Sequence, residues 1–277
     1  MGRSVARMPI LNKDMTLCIS LAARPSNIGT RFHNYLYDEL GLNYIYKAFT
    51  TTDIDGAIGG VRALGIRGCS VSMPFKEAVI ELVDEVEESA AAIDSVNTIV
   101  NDDGHLRASN TDYEAVATLI ADIDPASSVV VRGSGGMAKA VVAAFRGAGF
   151  DDLTVWARNA AAGQELAAKY GYRAADTEQA PGPQILVNVT PLGMRGADED
   201  VQSFDDDAIA AADLVFDVVA LPDQTPLIRA ASASGTPVIT GAQVIALQAA
   251  AQFEKYTGRV LTAEQVTRAS EFSRAET

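Results

Sequence analysis

The sequence is short of the residues from which disulfide frameworks and metal sites are built. Its 277 residues include two cysteines, Cys18 and Cys69, and two histidines, His33 and His105. Two isolated cysteines staple nothing in a chain of this length, and no Cys/His spacing fits a zinc ligand set, so no metal is expected. No apolar run approaches the roughly 18 residues of a membrane-spanning helix. Met1 to Met15 alternates polar and apolar residues and lacks the apolar core of a signal peptide. Positive charge is in deficit: 22 Lys and Arg stand against 36 Asp and Glu, a net charge of −14. Such a surface repels a phosphate backbone, which argues against a nucleic-acid partner. An anionic small molecule stays compatible, because one Lys or Arg inside a cleft reverses the local field. These absences imply a cytoplasmic protein with neither a membrane nor a nucleic-acid partner, with monomer and homodimer both open.

What is present is an apolar content of 48%, enough for sizeable cores, distributed in alternating strand-like and helix-like segments. Thr16 to Leu21, Tyr44 to Thr50 and Gly68 to Met73 read as strands. Phe32 to Leu40 and Asp53 to Leu64 read as helices closed by Gly41 and Gly65. Lys76 to Ala92 has Val79, Leu82, Val83 and Val86 at helical spacing and predicts one amphipathic helix. Ser95 to Val100 and His105 to Ala108 flank Asn101-Asp102-Asp103-Gly104, a hairpin signal. A boundary falls near residues 110 to 128, where Asn110-Thr111-Asp112 opens a helix that ends before a polar segment containing Pro125. A second α/β unit follows, with strands expected at 129–132, 153–157, 184–188, 214–217 and 237–239. Helices at 242–256 and 262–272 close the chain. Alternation of this kind implies an α/β fold with parallel or mostly parallel sheets.

Val129-Val130-Val131-Arg132 runs into Gly133-Ser134-Gly135-Gly136-Met137-Ala138, which satisfies G-x-G-x-x-A between a strand and a helix. The first glycine allows the tight turn, the second admits a pyrophosphate, and Ala138 permits close helix–strand packing. The helix N-terminus then presents its amides to the phosphates. A dinucleotide is therefore the expected cofactor. An NAD site usually carries an acidic residue about 20 positions on; here the second strand ends at Arg158-Asn159, and a guanidinium suits the 2′-phosphate of NADP. The strand end Val187-Asn188-Val189-Thr190 and its glycine-bearing loop face the same crevice in a doubly wound sheet.

Dehydrogenation of an alcohol needs a protein group to take the hydroxyl proton. Lys76, after Pro74-Phe75 at an expected helix start, is the candidate, with Asp112 to orient it. On spacing alone, a solvated lysine and a capping aspartate are the better explanation of these residues.

Taken in order, Ser70-Val71-Ser72-Met73-Pro74-Phe75-Lys76, Ser95-Val96-Asn97-Thr98, Asn110-Thr111-Asp112, the Gly133 to Ala138 loop, Asn188-Val189-Thr190 with Gly193-Met194, Thr225-Pro226-Leu227, and Gly241 to Gln248 with Gln252-Phe253 resemble the signature series of the shikimate dehydrogenase family, most of all its divergent shikimate dehydrogenase-like branch. The resemblance spans nearly the whole chain. It implies a catalytic domain of residues 1–112 and 242–277, with a Rossmann-type NADP-binding domain of residues 113–241 inserted and the C-terminal helices returning to the first domain. It implies NADP-dependent interconversion of shikimate and 3-dehydroshikimate, on the chorismate pathway of aromatic amino acid biosynthesis. Lys76 and Asp112 match its catalytic pair, and Ser72, Asn97 and Gln248 match substrate-binding positions. Gly133 to Ala138, Arg158, Asn188, Thr190, Val218 and Gly241 fall to the cofactor.

Departures from the family pattern are specific. Its paired carboxylate-binding serines fall at Asn27 and Gly29, with Ser26 and Thr30 as neighbouring substitutes. An asparagine becomes Ser70, a tyrosine becomes Ala220, and a second basic residue on the nucleotide side becomes Ala162. Weak activity on shikimate, or a preference for a related anionic cyclic polyol, is expected. A cofactor-binding sensor, a low-activity paralogue and a quinate-type dehydrogenase remain alternatives.

Overall fold

The short parallel strand Gly68–Val71 shows how sequence sets the layering. Its Gly68 leaves room for the ring of Tyr256, which a Cβ there would meet at 2.3 Å. A C-terminal helix can thus lie directly on an N-terminal sheet. The structure is a computed structural model and describes residues 10–175 and 184–275. The first nine residues of the Met1 to Met15 segment lie outside that range.

The N-terminal half comprises β1 (Thr16–Leu21), α1 (Ile28–Glu39), β2 (Tyr44–Phe49), α2 (Ile54–Ala63), β3 (Gly68–Val71), a 3-10 turn (Ala78–Leu82), β4 (Glu85–Val86), α3 (Glu88–Ala91), β5 (Thr98–Asp102) and β6 (His105–Ser109). Its six strands form one sheet in the order β2-β1-β3-β5-β6-β4. The sheet is mixed: β1 pairs parallel with β2 and β3, whereas β5 runs antiparallel to both β3 and β6. The antiparallel part follows from the hairpin turn. Asp103 and Gly104 both take positive φ, 52° and 95°, as a two-residue hairpin turn of the primed type requires.

The chain then continues through α4 (Thr111–Ile120), β7 (Val129–Arg132), α5 (Gly136–Gly147), β8 (Leu153–Trp156), α6 (Ala160–Tyr170), β9 (Arg173–Ala175), β10 (Ile185–Asn188), α7 (Asp206–Ala211), β11 (Leu214–Asp217), α8 (Pro226–Ser234), β12 (Val238–Thr240), α9 (Gly241–Thr257) and α10 (Ala263–Arg274). The second sheet is wholly parallel, in the order β12-β11-β10-β7-β8-β9. Read from β9, this is the doubly wound 3-2-1-4-5-6 arrangement, with β7 beside the point where strand order reverses. Val131, Val141, Phe145, Val155 and Phe216 fill the core on one of its faces.

The last two helices begin with capping boxes, Thr240 with Gln243 and Thr262 with Gln265. They return to the first sheet, where Ala249, Phe253, Tyr256 and Ala269 share a core with Cys18, Phe32, Leu36, Tyr37 and Tyr46.

The single helix expected over Lys76 to Ala92 does not form. The segment is a 3-10 turn, a two-residue strand and one helical turn. Its apolar spacing is real, since Val79 is buried and Leu82, Val83 and Val86 pack on the same core. Pairing decides the outcome: the Asp84 amide donates to the Leu106 carbonyl, the Asp84 carboxylate accepts from the Leu106 amide, and Val86 pairs with Ala108 on β6. A sheet edge thus outcompetes the helix. Consequently no long helix begins at Lys76.

Burial holds His33 neutral, with its pKa lowered to about 3. The ring is fully buried and stacks on Tyr46 at 4.4 Å. The unfolded chain takes up a proton near pH 6.5 that the folded chain refuses, so stability from this group is complete above that pH and is lost as pH falls toward 3. The expected slope is about 1.4 kcal/mol per pH unit below pH 6. Neither ring nitrogen has a hydrogen-bond partner. Urea denaturation of His33→Phe between pH 7 and 4.5 should therefore show less acid sensitivity than wild type, and parallel curves would count against this origin.

Candidate active site

The loop leaving the C-terminal end of β3 carries Lys76. Phe75 anchors it in the core of the first sheet, and the Val96 amide donates to the Lys76 carbonyl at 2.8 Å. The Lys76 Nζ donates to Asp112 Oδ2 at 2.7 Å. Their side chains are 27% and 20% exposed, shielded yet still accessible to a small molecule. Asp112 stands in the first turn of α4. The cap of that helix is Asn110, whose Oδ1 accepts from the amides of Asp112 and Tyr113 at 3.0 and 3.1 Å, and whose Nδ2 donates to the Ser95 carbonyl. The side chain that starts the helix therefore also fixes the direction of Asp112.

Asn97 lies beneath this pair. Its Oδ1 accepts from Thr98 Oγ1 at 2.8 Å, the Thr111 amide at 2.8 Å and Thr111 Oγ1 at 3.1 Å. Gln252, from α9, donates to Thr98 Oγ1 at 2.9 Å and to Ser70 Oγ at 3.2 Å. Three donors on one oxygen fix the amide orientation, and Asn97 Nδ2 is left buried without a partner. A buried donor of this kind is costly unless a ligand or water accepts from it. Thr98, Thr111 and Gln252 were not singled out from sequence as a unit. Their only signal was their presence in the segments around Asn97, Asp112 and Gln248.

Across the cleft, Gly133 takes φ +124°, and a Cβ there would meet Val189 Cγ2 at 2.9 Å. Gly135 and Gly136 face open space, with no atom within 4 Å of an added Cβ. Ser134 is partly exposed and Met137 half-buried, while Ala138 is fully buried against the sheet. Gly135 caps α5 without a side-chain hydrogen bond, so the first-turn amides are presented outward. These residues fit a pyrophosphate. Arg158 is exposed just beyond β8. The loop of Lys76 touches this unit: Lys139 of α5 donates to Glu77 at 2.8 Å, and Ile93 packs on Ala140 and Ala143.

Asn188 is fully buried, and its side chain is directed inward. Its Nδ2 donates to Asp217 Oδ1 at 2.9 Å, while its Oδ1 accepts from the Thr190 amide and from Thr190 Oγ1 at 2.6 Å. Asn188 thus shapes the loop at the strand ends instead of presenting its amide to the crevice. Burial raises the pKa of Asp217, although Thr225, the Val219 amide and Asn188 all donate to it. Val218 donates from its amide to the Asn188 carbonyl, and Gly241 opens α9 directly against Val218 and Val219.

On the substrate side, Ser26, Asn27 and Ser72 are exposed, and Gln248 is half-buried on α9. Asn27 caps α1 without using its side chain. Thr30 Oγ1 is buried and unpartnered. Among the described residues, no group of three or more His, Cys, Asp or Glu is arranged to hold a metal ion, and no helix is long and apolar enough to cross a membrane.

A Rossmann-type unit joined to a second α/β sheet, with a lysine–aspartate pair between a loop of that sheet and the first turn of α4, defines an architecture of the dinucleotide-dependent oxidoreductase class. Residues 27–99 match the model of the shikimate dehydrogenase substrate binding domain. The chain is 55% identical over 270 residues to a shikimate dehydrogenase-like protein of Haemophilus influenzae, covering 96% of this chain and 100% of that one. It is 35% identical over 261 residues to the shikimate dehydrogenase (NADP(+)) of Chlorobium phaeobacteroides, covering 84% and 88%. The shikimate 5-dehydrogenase of Thermus thermophilus, solved in complex with NADP(H) and shikimate, superposes with a TM-score of 0.83 at 28% identity, covering 94% and 100%. The chain belongs to the shikimate dehydrogenase family.

Proposed function

We propose that the protein is an NADP-dependent oxidoreductase that interconverts a secondary hydroxyl and a ketone on a cyclic polyhydroxy acid of the shikimate type. The observation that carries this reading is the Lys76–Asp112 pair, held at 2.7 Å next to Glu77, which accepts from Lys139 of the nucleotide helix α5. Residues 1–112 and 242–277 form the substrate domain in this reading, and residues 113–241 the dinucleotide domain. The packing of α9 and α10 on α1 and β1 supports that division.

Bound NADP supplies the hydride chemistry. In the direction of ketone reduction, Lys76 gives a proton to the oxygen that becomes the hydroxyl; in the reverse direction it accepts that proton. Asp112 orients the Lys76 ammonium and accepts a hydrogen bond from a substrate hydroxyl. Asn97 Nδ2 donates to a neighbouring ring hydroxyl, which satisfies its buried N–H. Ser72 and Gln248 border the same cleft, while Asn188 and Thr190 shape a strand-end loop that would help hold the cofactor.

Arg158 reads the 2′-phosphate. Arg158→Gln is expected to weaken NADPH about 10- to 100-fold and to leave NADH unchanged, as loss of one charge-assisted contact implies. Fluorescence titration with both cofactors measures this, and equal losses for the two would remove Arg158 from that role.

Steady-state assays with NADP⁺ or NAD⁺ against shikimate, quinate and amino analogues, followed by nicotinamide absorbance, test the function. Turnover with NADP⁺ on one of these acids is the expected result. A second reading, a cofactor-binding protein with little turnover, is favoured by one feature: neither Asn27 nor Gly29 offers a hydroxyl to a substrate carboxylate. Tight NADPH binding without turnover on any of these acids would favour that reading.

A further inference from the structure

Among the described residues, the side chains of three cationic residues make no hydrogen bond, ion pair or ring contact: Arg24, Arg158 and Arg259. In a chain with a net charge of −14, an unclaimed guanidinium is uncommon; even half-buried Arg31 and exposed Arg229 spend theirs on backbone carbonyls. Arg259 follows the C-terminal cap of the 17-residue α9, at the far end from Gly241. The other two stand just past the C-terminal ends of strands, Arg158 after β8 in the second sheet and Arg24 after β1 in the first. Crevices at the carboxyl ends of parallel strands are where α/β sheets bind ligands.

The loop that carries Arg24 is pinned at its base. The Ala23 amide donates to the Met73 carbonyl at 3.2 Å, and the Ser72 amide donates to the Leu21 carbonyl at 2.9 Å. The β1 loop is thereby tied to the loop that carries Lys76 three residues later. Arg24 lies exposed in a bend just before Pro25. Four residues on, α1 begins behind an Asn27 cap that makes no side-chain hydrogen bond.

We infer that Arg24 is the anion-recognition residue of this cleft, pairing with the carboxylate of the substrate at the end opposite the reacting hydroxyl. The inference rests on the functional reading given above. A planar fork of donors matches a carboxylate bidentately, and no protein carboxylate competes for this one. The substrate class is accordingly a cyclic polyol that keeps its negative charge.

Calorimetric titration of the NADPH-saturated protein, which cannot oxidise the added hydroxy acid, with shikimate and with its neutral methyl ester tests the assignment. Wild type is expected to prefer the acid. Arg24→Gln should weaken the acid at least tenfold without changing the ester, Arg24→Lys should restore part of the loss, and NADPH affinity should be unchanged in both. Acid binding that is equal in wild type and Arg24→Gln would overturn the role of Arg24 alone. Binding of NADPH but of neither acid nor ester by wild type would overturn the functional reading, and the inference with it. Because Arg24 is exposed and has no partner, its replacement removes no packing.

Discussion

Lys76→Ala is expected to lower kcat by about 10²- to 10⁴-fold, the usual contribution of a positioned acid–base group. NADPH affinity should be unchanged, because Lys76 lies in the loop after β3 and not in the glycine loop that holds the phosphates. Melting temperature should move little, since the lost ion pair is partly exposed and such pairs contribute about 1 kcal/mol or less. Asp112→Asn should behave differently. It keeps the backbone bonds to the Asn110 cap while removing the charge that orients Lys76, so kcat should fall with the helix intact. A Lys76→Ala enzyme that retained wild-type kcat would remove Lys76 from proton transfer.

Phe253→Ala is expected to cost about 3–5 kcal/mol, a large share of a typical stability of about 5–15 kcal/mol. Phe253 is fully buried and reaches from α9 to rings of α1, with centroids 5.4 Å from Tyr37 and 6.0 Å from His33. Its removal opens a cavity between a helix near the end of the chain and a sheet near its start. Denaturant titration should show the midpoint falling, and hydrogen exchange should locate the loosening in α1, α9 and α10. A cost below 1 kcal/mol would mean that α9 and α10 merely rest on the first sheet.

Much of this was legible in the sequence where a local rule agrees with the tertiary structure. β1, β7, β10 and β11 lie within a residue of their apolar runs, and Gly133 sits in the turn that its motif requires. The Asp103-Gly104 hairpin also formed as its residues specify. The failure over Lys76 to Ala92 had a tertiary cause. Helical spacing buries the right side chains, but pairing of Asp84 and Val86 with β6 cannot be seen in one segment. The three-residue β9 and two-residue β4 are too short to carry a periodicity, and β4 exists only by virtue of its neighbour.

At the site, residue types at motif positions identified Lys76, Asp112 and Asn97. They did not reveal that Thr98 and Thr111 hold the Asn97 amide so that its nitrogen is left buried and unpaired, nor that Asn188 is occupied by Asp217 and Thr190. Those are facts of side-chain orientation, and spacing along the chain does not encode them. Arg24 likewise gained significance only when its lack of any partner could be set against the pairing of most other cations.

The most direct test of a site built from a nucleotide loop and the Lys76–Asp112 acid–base pair is a single turnover. Wild-type protein in excess is mixed with limiting NADPH and 3-dehydroshikimate, so that weak substrate affinity is not mistaken for absent chemistry. Loss of NADPH absorbance in one exponential phase, slowed at least a hundredfold in Lys76→Ala, is the predicted result. Stable NADPH absorbance in the wild-type mixture, or equal decay in both proteins, would contradict it.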